Sequence, residues 1–407
     1  MEYINNINIK VDTKYKDTYK LLEQWIIKNG WESYDVCDIP ATKLFLILSH
    51  IKQKTYFGKY FAHPFIYFST KKPNLFRKIF RIKKNIFPQA LGLLARSDIF
   101  AYQKTGEEIY FDRAKLYLDW LENHTSKGYD DKCWGQPYDW YSKKLIPKNT
   151  PRATVTSIIT SAFLDAYEAT GDKRYLDTAI SSCEFFINDL IMDEDKDGHI
   201  CFSYTSIDNF HVHNANVVVA ANLIRTYYHS KRQDLKDIGQ RALDFTVKYQ
   251  NNDGSWYYWA PPDNILGNID NYHTGFILEA MEVIRKYLGK DFHYEKQMDL
   301  GLDFYINHFF ENDVIPKLFH NCLYPIDIQS CAQSIITLVE LSKSYSSLAE
   351  KPLKIADWTI KNMFDPNGYF YYRLYKNGYV DKTPYLRWAE AWMFRALTNL
   401  IFSFNKS

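Results

Sequence analysis

The chain has 407 residues, 46% apolar and 24% charged, with a formal net charge of +2. This is an ordinary globular composition, and it lacks the basic field that nucleic-acid binding requires. Aromatic residues reach 17%. Tyr and Trp join an apolar body to a polar tip, which suits a core and equally a sugar site, where the ring stacks on a C–H face.

The first sixteen residues, MEYINNINIKVDTKYK, carry no apolar signal core, and the longest apolar run, Leu44 to Leu48, is too short to span a bilayer. The six cysteines are scattered, without CxxC pairs or zinc-site spacing, and read as reduced thiols. A cytoplasmic location is expected, without metal or cofactor, since no GxGxxG, Walker, GxSxG or HExxH motif occurs.

Residues 17–34, DTYKLLEQWIIKNGWESY, read as an amphipathic helix followed by Asn-Gly-Trp. Residues 71–84, KKPNLFRKIFRIKK, hold seven basic residues and no acid, interleaved with Leu and Phe. They predict a basic amphipathic helix that meets an anionic membrane face and holds the protein peripheral to the inner membrane. The division is 1–84, a closing helix and basic segment, and 85–407, a catalytic toroid.

From residue 85 a degenerate repeat dominates. Residues 102–120 (YQKTGEEIYFDRAKLYLDW) and 167–185 (YEATGDKRYLDTAISSCEF) align without a gap. Gly106 and Gly171 stand where a helix C-terminus takes a left-handed residue. Each unit continues into a Gly- and aromatic-rich loop: CWGQPYDWY, DGHICFSYT, DGSWYYWAP, NGYFYYRLY. An apolar helix follows, beginning near Pro88, Pro151, Asn214, Tyr272, Asp327 and Pro384, at spacings of about 55–63 residues. These helices are apolar nearly all round and are expected to be buried on both sides; their partners keep a polar face. Six inner helices are followed by only five outer ones. The helix at 17–34 supplies the sixth and closes the ring, so the expected fold is an all-α (α/α)6 toroid with its functional loops on one face.

At FPQALGLLARSDIFAYQKTGEEIYFDRA, TGDKRYLDTA, DGSWYYW and NYHTGFILEAM the chain resembles the six-hairpin toroid superfamily of carbohydrate enzymes. That superfamily holds glycoside hydrolases, polysaccharide lyases, sugar 2-epimerases and the helical domain of uronyl C5-epimerases. The same segments look like helical proteins of bacterial polysaccharide or lipopolysaccharide assembly. The resemblance implies a carbohydrate-active enzyme acting on a cell-surface polysaccharide or its precursor, by glycosidic cleavage or by epimerase or lyase chemistry. A non-catalytic glycan or lipid-linked oligosaccharide binder is the alternative.

Candidate site residues lie just before or in the first turn of each inner helix. His273, flanked by Asp270 and Tyr272, is the expected general base. Asp139, Asp327 and Glu390 are the other carboxylates placed for acid–base work. Asp270 and Asp327 also serve as helix N-caps, and Glu390 can simply pair with Arg387. Arg152, Arg373 and Arg387 can hold a carboxylate or phosphate through a bidentate fork. Trp134, Trp140, Trp256, Tyr258 and Trp388 are candidate stacking platforms, and Tyr138, His213, Asn214, Asn216 and Tyr385 candidate sugar contacts. His211 and His213 form a His-x-His pair that would need a third ligand to hold a metal.

Overall fold

The computed structural model describes residues 12–54, 68–69, 71–262 and 267–404, with the side chains of 52–54 left aside. Six inner helices stand in a ring: Pro88–Thr105, Ala153–Thr170, His213–Ser230, Asn271–Leu288, Ile328–Ser342 and, after a π-helical turn at Leu386–Glu390, Ala391–Phe404. Each packs against the next, and the sixth packs against the first. Their starts fall within about two residues of the positions read from the repeat. All six N-cap residues (Phe87, Arg152, Val212, Asp270, Asp327 and Tyr385) are extended, so each helix is entered from a strand-like segment.

The two layers differ in burial for the reason the sequence indicated. In the fifth inner helix every residue but Glu340 is buried, because both flanks and the back meet other helices. The outer helix Gln233–Lys248 buries one face only, through Leu235, Gly239, Ala242, Leu243 and Phe245–Val247. Gly106 and Gly171 end their helices at φ of +71° and +72°, the left-handed caps expected of them.

The N-terminal helix, Thr13–Asn29, is the sixth outer helix. Tyr19 stacks on Phe394 of the last inner helix at 4.8 Å. Lys14 meets Asp357 of the fifth outer helix at 2.7 Å, and Glu23 meets Arg113 of the first at 2.7 Å. Gly368 (φ +92°) turns its loop against this helix, where a Cβ would lie 2.5 Å from the Leu21 carbonyl oxygen.

Short antiparallel ladders, such as Met192–Glu194 with Ile200–Phe202, form in the loops. Single bridges then tie three inner-helix starts to the following loop: Arg152 to Thr205, Val212 to Trp259, and Asp270 to Phe319. Asp327 pairs with Arg373 in the same sense. This belt holds the second to fifth starts on one rim, and Ile86, just before the first, pairs with Glu32.

Of the basic segment, only Pro73–Ile79 is helical. Arg77 turns inward, buried, with its Nε 2.9 Å from Asp38, because burying the guanidinium requires a paired carboxylate. Among the described residues, no helix is long and apolar enough to cross a membrane.

Candidate active site

All six inner-helix starts open into one cavity of about 340 Å³. Gln89 comes from the first, Arg152 from the second, Asn214 from the third, Tyr272 and His273 from the fourth, Gln329 from the fifth, and Arg387 with Trp388 from the sixth. Tyr138, Trp140, Tyr204 and Tyr258 reach in from the loops. Arg96, Arg225, Glu279 and Arg395 form the deeper wall, well inside their helices.

His273 is oriented from below. Asp270 caps the fourth helix through the His273 N–H at 3.0 Å, and its other oxygen accepts from Nδ1 at 2.6 Å. That bond holds the proton on Nδ1 and leaves the Nε2 lone pair available. Among the described residues no protein group bonds Nε2. The rings of Tyr258 and Tyr272 lie 4.5 and 4.3 Å from the imidazole. Burial, with the charge of Asp270 adding to it, pushes both phenols far above their ordinary range, so they stay protonated.

The deeper wall is an ion network. Arg96 Nε meets Asp165 at 2.8 Å, and Arg225 bridges Asp165 at 2.7 Å and Glu168 at 2.9 Å. His229 also reaches Glu168, at 2.8 Å. Glu279 pairs with Arg395 and accepts from Gln333 at 3.0 Å. Burial alone would raise the Glu279 carboxyl; the Arg395 and Arg96 guanidiniums more than offset it and hold it below the usual carboxylate range. None of these floor residues was a candidate from sequence. Their signal is charge inside an otherwise apolar helix, about two turns or more beyond each start.

The remaining sequence candidates have other places. Asp327 is fully buried and accepts from Arg373 Nε at 2.6 Å, Trp388 Nε1 at 3.1 Å and the Gln329 N–H at 2.9 Å. It therefore positions Trp388 and has no free oxygen for acid–base work, and Arg373 is committed to it. Asp139 lies off the cavity and caps the Lys148 N–H at 2.8 Å. Glu390 is buried under the Phe370 N–H at 3.0 Å, away from the cavity and not paired with Arg387; burial pushes its carboxyl well above the ordinary range. Arg387 instead makes a two-pronged pair with Asp35, both contacts 2.7 Å, so the N-terminal segment supplies its partner.

Trp134 and Trp256 are sealed, their indole N–H groups donating at 2.9 Å to the carbonyls of Leu121 and Thr246 on the preceding outer helices. Asn216 is likewise internal, bonding Phe202 N and the Ile200 and Ala242 carbonyls. Tyr385 is buried and accepts from Arg77 at 3.1 Å. His211 uses both ring nitrogens, on Asp193 and the Pro261 carbonyl, each at 2.6 Å. His213 is buried behind the cavity, where desolvation, then the neighbouring His211, pulls its pKa from 6.5 to about 3. It stays neutral, and the two imidazoles do not converge on a shared metal position.

Six hairpins, a ring closed by the N-terminal helix, and one rim cavity decide the architecture. The fold is the six-hairpin (α/α)6 toroid. Cellobiose 2-epimerase from Bacillus thermoamylovorans superposes on this toroid with a TM-score of 0.62 at 12% identity, over 77% of this chain and 87% of that one. The GH76 α-mannanase from Bacteroides thetaiotaomicron gives 0.59 at 14% identity, over 78% and 86%. A protein from Listeria innocua gives 0.63 at 14% identity and covers 95% of this chain and 96% of its own. No family model and no curated protein matches the sequence. At these identities the likeness establishes the toroid, and the chemistry has to be argued from its cavity.

Proposed function

We propose that this protein is a carbohydrate-active enzyme that moves a proton at a sugar carbon, with His273 as the base. The Asp270–His273 pair carries the reading, with His273 on the cavity wall and Asp270 behind it. Asp270 fixes the Nδ1–H tautomer, so Nε2 takes a proton from a C–H beside a carbonyl or carboxyl, and the C–H electrons pass into the enolate. Returning the proton to the other face or the neighbouring carbon gives an epimer or isomer; expelling a β-substituent gives an unsaturated sugar. Tyr258 and Tyr272, kept protonated, are the available proton donors. Trp140 and Trp388 flank the space where a pyranose would stack.

Glycosidic cleavage has less support. It needs two carboxyl groups facing the scissile bond, roughly 5–9.5 Å apart. Among the described residues the only carboxylate lining the cavity is Glu279, which is bound to Arg395 on the floor. The neighbours named above include both a sugar epimerase and a glycanase, which supports carbohydrate chemistry in general terms. The floor network closes the cavity from below, which favours a chain end or a small precursor over the middle of a polymer. We assign that sugar to a cell-surface polysaccharide or its precursor on the segment likenesses.

Incubation with a panel of uronates, aldoses and bacterial oligosaccharides in D₂O tests the reading. Deuterium should enter one carbon position with the parent protein and not with His273→Ala. Cleavage with neither deuterium uptake nor an unsaturated product would favour hydrolysis, and binding without turnover would favour a glycan-binding role. Leu75 and Ile79, 52% and 61% exposed, with Lys78, Arg81 and Lys84 beside them, are the face we assign to an anionic membrane surface. Failure to float with phosphatidylserine vesicles would remove that contact.

A further inference from the structure

The cavity holds five arginines, and the structure sorts them. Arg96 and Arg225 meet Asp165, Arg395 meets Glu279, and Arg387 is clamped by Asp35. Arg152 alone has no carboxylate partner among the described residues. It is 8% exposed, its Nη1 makes one long contact of 3.4 Å to the Tyr138 hydroxyl, and its Nε has no partner. Nη2 bonds no protein group and is absent from the sealed unpartnered atoms, so it faces the cavity. The guanidinium carbon lies 5.1 Å from the Tyr138 ring and 4.8 Å from the Trp140 ring, which fix its plane without neutralising it.

A buried cation without a counter-ion is costly, and elsewhere in this cavity the chain has supplied one each time. The nearby acids are committed: Asp35 to Arg387, Asp270 to His273, Glu279 to Arg395. Arg152 also caps the second inner helix. Among the described residues, the N–H groups of Thr154 and Val155, which line the cavity, have no acceptor. A planar fork beside a helix N-terminus matches a carboxylate or phosphate.

We propose that the sugar bound here carries an anionic group, a carboxylate or a phosphate, seated on Arg152 between Tyr138 and Trp140. This rests on the reading of the cavity as a sugar site. Arg152, Tyr258 and His273 line the same cavity, and the Tyr258 ring lies 4.5 Å from the imidazole, so the anion and the base can address one small molecule.

Calorimetric titration with D-glucuronate, D-glucose 6-phosphate and D-glucose tests the proposal without turnover. At least one anionic probe should bind tenfold or more tighter than D-glucose, and the two anions report which group is preferred. The preference should vanish in Arg152→Gln, survive in part in Arg152→Lys, and persist in His273→Ala, with each variant's unfolding midpoint confirming its fold. Equal binding of D-glucose and both anions, or a preference unchanged in Arg152→Gln, would overturn the anion site and leave the sugar site standing. Binding of none of the three would overturn both.

Discussion

The rim and the floor of the cavity are built from the same residue types and treat them in opposite ways. On the floor, Arg96, Arg225 and Arg395 are each matched by Asp165, Glu168 or Glu279, so the charges hold the helices to one another. On the rim, among the described residues, Arg152 lacks a counter-ion and His273 keeps one nitrogen free. Charge in a low-dielectric interior is tolerated either by being paired within the protein or by being kept for a ligand. The floor does the first, as does Arg387 on the rim through Asp35; Arg152 and His273 do the second. Residue type alone does not separate structural from functional charges here; the accounting of partners does.

Substitutions can break that contrast at either end. The largest effect is expected at the rim: His273→Ala should lower kcat on the order of 10²–10⁴-fold, with the thermal midpoint close to that of the parent. A floor substitution should do the reverse. Arg225→Met leaves Asp165 with Arg96 and Glu168 with His229 as ion-pair partners, and should destabilise the fold by about 3 kcal/mol in denaturant titration, while the surviving folded fraction keeps most of its specific activity.

His213 gives a smaller, pH-dependent effect. Its folded pKa is depressed from 6.5 to about 3, so between those values the unfolded chain binds a proton that the folded chain does not. Stability therefore falls as pH drops below 6.5, by up to about 1.4 kcal/mol per unit. His213→Gln should flatten that acid limb in thermal melts. Glu390 has the opposite sign. Its folded pKa is raised by burial, so ionisation of the unfolded chain costs stability as pH rises above the ordinary carboxylate range. Glu390→Gln should melt higher than the parent at pH 8, with the gap closing toward pH 4 and turnover unchanged. A loss of turnover would return Glu390 to the mechanism.

Much of the scaffold was legible because it is written in periodicity. Apolar runs without a polar face gave the inner helices, and Gly106 and Gly171 gave the helix ends. The unmatched helix at the N-terminus gave ring closure, since five outer helices cannot surround six inner ones. Within the site, residues at the helix starts (Arg152, Asn214, Tyr272, His273, Arg387, Trp388) do line the cavity, because bridges hold the second to fourth starts and Asp35 and Asp327 hold Arg387 and Trp388. Loop residues were harder to place. Trp134 and Trp140 lie six positions apart, a spacing that puts both on one side of a regular strand, yet one is sealed against Leu121 and the other faces the cavity, because the chain bends at Pro137 and Tyr138 between them. Asp327, Glu390 and Arg373 were chemically eligible, and only their partners show that they are committed elsewhere. Asp35 and the floor acids went unread because a charge pair across the ring leaves no local spacing in the chain.

The most direct measurement is a crystal structure of the protein soaked with the tightest-binding sugar of the panel. The account predicts that sugar in the rim cavity between Trp140 and Trp388, with one ring carbon about 3–3.5 Å from His273 Nε2, a distance suited to reaction. Density instead in the outer groove beside Trp25 and Tyr379, with the rim cavity empty, would contradict it.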